Sequence, residues 1–380
     1  MKKLLAILLL AGCVQGVSAQ STASEKSLFE EVSGLKAKSD KFNLYMNMNG
    51  SFDAVDVPGD GKSGKFNMRQ LRIEAKGNVN DWLSYRWRQR LNRPNNGGDN
   101  IDNLPTSIDI AGIGVKMSDK WSLFAGKQCA NYGGIEFDLN PIEIYEYSDM
   151  IENMSNFMTG VNIGYDATPN HQFNFQVLNS LNGPFESTYG PVDVEQTKLP
   201  LVYTLNWCGN FNDVFKTRWS ASIMNQAKSE KMTYIALGNE LSLGKFGMFL
   251  DFMYSKEDID RKRIMTSMLL GSDATSLPGA EYMSVVTKLN YRFTPNWNVF
   301  VKGMYETASL SKKVGQFEDG KYRTSLGYFA GLEYYPMENS NLHFFLTYVG
   351  RKYNYTNKTD LKDYDTNRVS GGFIYQLKMF

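Results

Sequence analysis

From residue 42 to the C-terminus, apolar and polar side chains alternate with a period of two, the signature of strands with one apolar face. "FNLYMNMN" places Phe42, Leu44, Met46 and Met48 on one face and Asn43, Asn47 and Asn49 on the other. "KTRWSASIM" sets Trp219, Ala221 and Ile223 against Arg218, Ser220 and Ser222. "TSLGYFAGLEYY" sets Leu326, Tyr328, Ala330, Leu332 and Tyr334 against Ser325, Gly327, Gly331 and Glu333. Sixteen candidate strands follow, centred near residues 46, 72, 87, 111, 124, 163, 175, 203, 220, 237, 250, 287, 302, 329, 346 and 374. Their connections alternate between short (78–81, 117–120, 243–245, 294–296, 336–341) and long (53–64, 93–105, 129–158, 180–198, 256–280, 308–321, 354–366). One member of the long series, 226–230, is short.

A soluble sandwich or propeller has no reason to gather its long loops at one end, whereas a transmembrane barrel has short periplasmic turns and long external loops. Most segments reach about 9–11 residues or slightly more, the length of a tilted spanning strand. In hydrocarbon every backbone polar group needs an internal partner, so such a sheet must close on itself. The expected fold is all-β: a transmembrane antiparallel β-barrel of about sixteen strands. The last strand ends on Phe380, which is in the opposite phase from Phe373, Tyr375 and Leu377.

The chain before residue 42 has a different character. Lys2 and Lys3 precede the apolar run Leu4 to Ala11, which is too short to span a bilayer and reads as an export signal. Two processing sites compete within it. Leu10-Ala11-Gly12-Cys13 resembles a lipobox, and Val17-Ser18-Ala19 is a small-residue site for ordinary secretion. A closed barrel is already retained by its apolar band, so cleavage after Ala19, leaving Gln20 first, is the expectation. Residues 20–41 are expected to form a short periplasmic segment. Ser27 and Glu30 fit a capping box, and Leu28, Val32 and Leu35 recur at helical spacing. Residues 42–380 are expected to form the barrel, in the outer membrane of a Gram-negative cell.

Composition narrows the function. The 41 basic and 40 acidic residues nearly balance, which excludes a nucleic-acid partner. Beyond Cys13 only Cys129 and Cys208 remain, too few for a disulfide framework. Cys129 opens an external loop and Cys208 falls in an expected periplasmic turn, so no bond between them is expected.

If the apolar face meets lipid, the polar face lines the lumen. On the third strand, "DWLSYRWRQRLNR", Leu83, Tyr85, Trp87 and Leu91 face lipid, while Arg86, Arg88 and Arg90 form an inward ladder. Arg72, Lys76, Arg218, Lys288, Arg292 and Lys302 are inward by the same rule, and these nine are the expected basic pore lining. The longest loop, 129–158, has the opposite sign. It carries Glu136, Asp138, Glu143, Glu146, Asp149 and Glu152 with no Lys or Arg. Its many Ile, Phe, Tyr and Met residues require a surface to pack on. Folding into the lumen would bury them and bring the six carboxylates to the arginine wall, setting a transverse field across a constriction.

"MRQLRIEAKGNVNDWLSYRWRQRL" (68–91), "FAGKQ" (124–128), "GGIEF" (133–137) and "YEYSDM" (145–150) resemble the phosphate-selective porin O and P family. The resemblance spans roughly residues 42 to 380 and is densest over 66–165. It implies a sixteen-stranded homotrimeric outer-membrane porin whose third external loop folds inward. It also implies arginines and lysines along the pore in members that select phosphate, with Arg86, Arg88 and Arg90 at the place of such a ladder. The six acidic residues of the facing loop depart from a purely basic pore.

Other motifs carry little. "GDGKSGKF" (59–66) approaches the phosphate-cradling P-loop, but Phe66 replaces the required hydroxyl residue and the stretch joins two strands. The charged run 255–262 reads as a solvated loop, since Arg and Lys interrupt its acids. His171 and His343 have no evident serine partner, so no enzyme and no cofactor or metal is expected. The expected function is passive diffusion of small hydrophilic solutes, anions such as phosphate among them, with outer-membrane lipid as the surroundings. The alternatives are a barrel serving as an adhesin or binding platform, and a soluble secreted β-sandwich.

Overall fold

The computed structural model describes residues 40–95 and 100–380. The export signal and the amphipathic segment expected before the barrel lie outside the described residues. Sixteen strands, each antiparallel to its neighbours, form one closed barrel in which β1 also pairs with β16. They are β1 (Asn43–Val57), β2 (Gly61–Asn78), β3 (Leu83–Arg90), β4 (Ile108–Lys116), β5 (Trp121–Cys129), β6 (Phe157–Thr168), β7 (His171–Asn179) and β8 (Leu201–Phe211). The second half comprises β9 (Phe215–Ala227), β10 (Glu230–Leu243), β11 (Phe246–Ile259), β12 (Pro278–Thr294), β13 (Trp297–Leu310), β14 (Gly320–Tyr334), β15 (His343–Tyr355) and β16 (Tyr364–Lys378). All sixteen expected centres fall within these strands. Periodicity therefore located every strand.

The outward positions are apolar and exposed: Ile113, Leu205, Trp219, Ile223, Val301 and Leu346 lie on this face. Tilted ring pairs such as Trp121 with Tyr165 and Trp297 with Tyr334 sit at the turn-bearing end, where aromatic side chains suit a membrane interface. The unmatched phase of Phe380 has a local cause. The chain leaves β16 after Lys378, the Leu44 amide donates to the Phe380 carbonyl at 3.1 Å, and the Phe380 ring packs on Phe42. Next to this seam Gly372 has no room for a side chain, since a Cβ there would lie 2.1 Å from the Gly50 carbonyl oxygen.

Three expectations need correction. The loop expected over 53–64 is mostly strand, because β1 and β2 stay paired as far as Val57 and Gly61; positive φ at Gly59 and Gly61 makes the tight turn. Cys208 lies within β8 and not in a turn, although both Cys129 and Cys208 are free thiols as expected. The rule that inward positions are polar also fails on one side. Phe249, Met253, Phe300, Met304, Phe329 and Phe345 are inward and buried on β11 and β13–β15. They form one core with Tyr132, Phe137, Ile142, Tyr145, Met150 and Ile151 of the 130–156 connection. The barrel thus contains a hydrophobic core inside its lumen, and the third external loop is half of it.

Candidate functional site

The arginine wall is built by adjacent strands. Pairing sets Arg72 of β2 opposite Arg90 of β3, and Glu74 opposite Arg88. Like charges stacked this closely repel, and the structure offsets them with a carboxylate from β4. Asp109, fully buried, lies 3.0 Å from Arg72, 3.3 Å from Arg88 and 2.7 Å from Arg90. Arg86 pairs with Glu74 at 2.8 Å. The Phe157 ring at the start of β6 carries the guanidinium groups of Arg88 and Arg90 at 5.2 and 5.5 Å. Lys76 lies over Tyr45. Three arginines share one acid, so this wall keeps a positive excess.

The third loop turns inward at Gly133 and Gly134, both at positive φ; a Cβ on Gly133 would meet the Ser220 hydroxyl at 2.5 Å. The short helix α1 (Ile135–Asp138) follows, and its first free amides need acceptors. Asp251 of β11 supplies both, accepting from the Ile135 and Glu136 amides at 2.7 and 2.8 Å. Glu136 is buried and pairs with Lys302 of β13, while accepting from the Ser148 hydroxyl at 2.9 Å. Farther on, Asn49 of β1 donates to the Ile142 carbonyl at 2.7 Å. Tyr145 donates to Glu333 at 2.8 Å and stacks on Phe300 with ring centroids 5.0 Å apart.

A second short helix, α2 (Asp149–Glu152), is held by Arg323 and Arg351 at 2.5 and 2.7 Å from the Asp149 carboxylate. The Asp149 amide donates to Glu306 at 2.7 Å. Glu146 pairs with Arg368 at 2.8 Å and Arg351 at 3.5 Å, Asp138 with Arg218 at 3.2 Å, and Glu143 approaches His343 at 3.9 Å.

The inward fold of the loop is as expected, but its carboxylates meet a different wall. Five of the six face β9 and β13–β16, not the arginine ladder. The reason is apolar burial: the greasy inward residues of β10–β15 complement the loop's own, and each large side chain buried there is worth about 1.5–3 kcal/mol. Asp109 and Glu74 offset part of the ladder's charge, and the pull of the remainder on the loop is outweighed by this burial. The basic residues divide accordingly. Arg72, Lys76, Arg86, Arg88 and Arg90 stand on the arginine wall. Lys302 and Arg218 anchor the loop, and Lys288 lies beneath it, 4.5 Å from the Phe300 ring centre. Arg292 donates to the Pro295 carbonyl at 2.6 and 3.0 Å and so braces a short turn.

Two cavities flank the loop. One of about 320 Å³ lies on the external side, between Arg72, Arg90 and Arg93 and the loop's Phe137 and Glu152. The other, about 360 Å³, lies on the turn side and is bordered by Asp138, His171, Lys216 and Arg218. Helix α1 contributes to both and stands between them. Glu152 is the sixth carboxylate and makes no ion pair among the described residues.

A sequence-family model for "phosphate-selective porin O and P" matches residues 42–377. The chain belongs to this porin family. A search of curated proteins finds no match. Among solved structures, the porin is similar to the outer membrane channel DcaP of Acinetobacter baumannii, at 13% identity and a TM-score of 0.61, covering 88% of this chain and 96% of that one. It is also similar to an anion-selective porin from Comamonas acidovorans (8% identity, TM-score 0.56, 88% and 99% covered). The trimer form of OmpT from Vibrio cholerae gives 9%, 0.55, and 88% and 99%. At these identities the likeness is one of fold. Together, family and fold make the protein an outer-membrane channel.

Further parts of the porin's interior had weaker signals in the sequence. Asp251 and Glu306 are inward carboxylates in the phase of Ser255 and Lys302, whereas Asp109 turns inward at a register shift opposite Arg88 and Gln89. Arg323, Arg351 and Arg368 are inward too, and they bear the loop. The second external connection also enters: its Asp102 accepts from Lys127 at 3.0 Å and Thr159 at 2.8 Å. Burial pushes the Asp102 carboxyl up, but these bonds and the Leu104 amide outweigh it and hold the group below its ordinary range. Glu152 moves the other way. Enclosure by the lumen raises its pKa, Glu146 adds to this, and Arg93 and Arg90 oppose it.

The run 255–262, expected to be solvated, is a buried ion cluster. β11 extends to Ile259, and Lys262 pairs with Glu257 where neither side chain meets solvent. Arg261 donates to the Tyr189 hydroxyl and the Ser155 hydroxyl, both at 3.1 Å. Asp260 accepts from the Tyr282 hydroxyl at 2.6 Å and the Thr266 amide at 2.7 Å. This cluster ties the fourth and sixth external loops to the end of the third.

Proposed function

We propose that the channel passes small hydrophilic solutes by passive diffusion, prefers anions, and works as a homotrimer. The observation that carries the anion preference is the sharing of Asp109 by three arginines on a wall that faces open cavity. Rate and selectivity then follow from lumen width and lining charge, with no chemical step and no cofactor. The nine basic residues act unequally in this reading. Arg72, Arg86, Arg88 and Arg90 set the field, whereas Arg218 and Lys302 set the position of the loop. Support for a trimer is the group of short strands β3–β5, of 8, 9 and 9 residues, with apolar Ile113 on its outward face. A related fold has been described in a trimer form. The mature chain begins at Gln20 after removal of residues 1–19, which intact-mass measurement of the purified protein checks.

Planar-bilayer recording tests the reading. Stepwise currents with a reversal potential on the anion side are expected under a salt gradient, and replacing Arg86, Arg88 and Arg90 together by Ala should move that potential toward the cation side. Unchanged selectivity in the triple variant would overturn the field; absence of current steps would overturn the channel. Light scattering in detergent gives the subunit number.

A further inference from the structure

The external cavity holds two opposite charges that do not touch. Glu152 is exposed at the end of α2, and Arg93 is exposed beyond the end of β3; neither makes an ion pair among the described residues, yet both line the same space. Their separation is built in. α2 is clamped through Asp149 to Arg323, Arg351 and Glu306, so Glu152 cannot swing to the wall. On the wall, Arg90 is fixed by Asp109 and Phe157. Behind it Arg72, almost wholly buried, turns its Nε to Asp109 at 3.0 Å and leaves its Nη1 without a hydrogen-bond partner among the described residues. Unmade hydrogen bonds on a buried guanidinium are unfavourable, and they await an acceptor. The lining also carries apolar side chains, Phe137, Ile151 and Met154, beside polar ones such as Lys127 and Asn156.

We propose that this cavity is a binding site for short zwitterionic amino-carboxylates with an apolar side chain. It deepens the channel reading above and rests on it. The ligand carboxylate sits on the guanidinium groups of Arg93, Arg90 and Arg72, its ammonium meets Glu152, and its side chain lies on the loop's apolar residues. A solute carrying both charges satisfies both walls at once, whereas a simple anion satisfies one and leaves Glu152 facing it. The site is preorganised because both walls are braced before the ligand arrives.

The test is interruption of single-channel current by leucine, N-acetyl-leucine and leucinamide, which carry both charges, only the negative and only the positive one. Leucine should produce the longest interruptions. Glu152→Gln should shorten those of leucine about tenfold, the size of one charge-assisted hydrogen bond, and leave those of N-acetyl-leucine as long or longer. Arg93→Gln should shorten both; both substitutions are at exposed positions, so folding is not at issue. If N-acetyl-leucine interrupts as long as leucine, or Glu152→Gln lengthens both, the site is a plain anion site and the proposal fails. Current steps with no interruption by any of the three also overturn it, leaving the channel intact. Absence of steps overturns both.

Discussion

The two sides of the lumen are made by the same alternation and put to opposite uses. On β2–β5 the inward residues include four arginines around Asp109 and Glu74; Arg86 and Arg90 reach solvent, with Arg72 and Arg88 buried behind them. On β10–β16 they are aromatic and aliphatic residues with isolated charges, and they face the third loop. A barrel wall needs only one face to be apolar for the membrane; the other face is free to bind solvent or protein. Where it binds protein, charge acts as a fastener. Where it binds water, charge acts on solutes.

The largest expected effect comes from breaking the fastened side. Arg351, 3% exposed, contacts Asp149, Glu306 and Glu146. Arg351→Ala leaves the buried Glu306 without an ion-pair partner among the described residues, while Asp149 keeps Arg323 and Glu146 keeps Arg368, and should destabilise the barrel by about 3–5 kcal/mol. Loss of the clamp should also release the loop, giving larger and noisier conductance steps. Denaturant midpoint and bilayer recording check the two effects; an unaltered conductance would mean that the loop is held by apolar packing alone. Asp109→Asn attacks the other side by freeing three arginines from their acid. Its anion-to-cation permeability ratio should rise about threefold at low salt and converge on the wild type at high salt. A ratio that falls would show that the wall is not in the conduction path.

A smaller effect is expected for Tyr145→Phe, which removes the hydrogen bond to Glu333 and retains the stack on Phe300. Destabilisation by about 1–2 kcal/mol, without change in ion selectivity, would separate fastening from field. The smallest effect is on pH dependence. Because the Glu152 carboxyl is raised, lowering the pH protonates it above the ordinary glutamate range and removes its negative charge. Anion preference should increase modestly as pH falls through that range, and Glu152→Gln should abolish the step.

The strands were legible because a period of two persists through each of them, and the inward loop because thirty residues so rich in Ile, Tyr and Met need a surface. The destination of the loop's acids was not legible from charge alone. Counting arginines on one strand omits the neighbour that neutralises them, and Asp109 sits in "SIDIAG", where a single acid between isoleucines looks incidental. The same phase rule that selected Lys302 reaches Glu306 four residues later, so that signal was present. Apolar inward residues such as Phe300 and Phe329 were hidden for a different reason. Alternation with outward Val and Tyr produces continuous apolar runs, in which the two faces cannot be told apart.

The seam between the first and last strands bears on how the molecule is made. Gln376 donates to Asn47 across 329 residues of sequence, and the whole inner edge of β1 has no partner until β16 arrives. Throughout synthesis and transit that edge is a template open to any passing strand. Closing the barrel requires this pairing, and the Phe380 ring against Phe42 is its latch. A peptide tag appended after Phe380 would burden that latch directly, while one inserted at the tip of the β1–β2 hairpin would leave it alone.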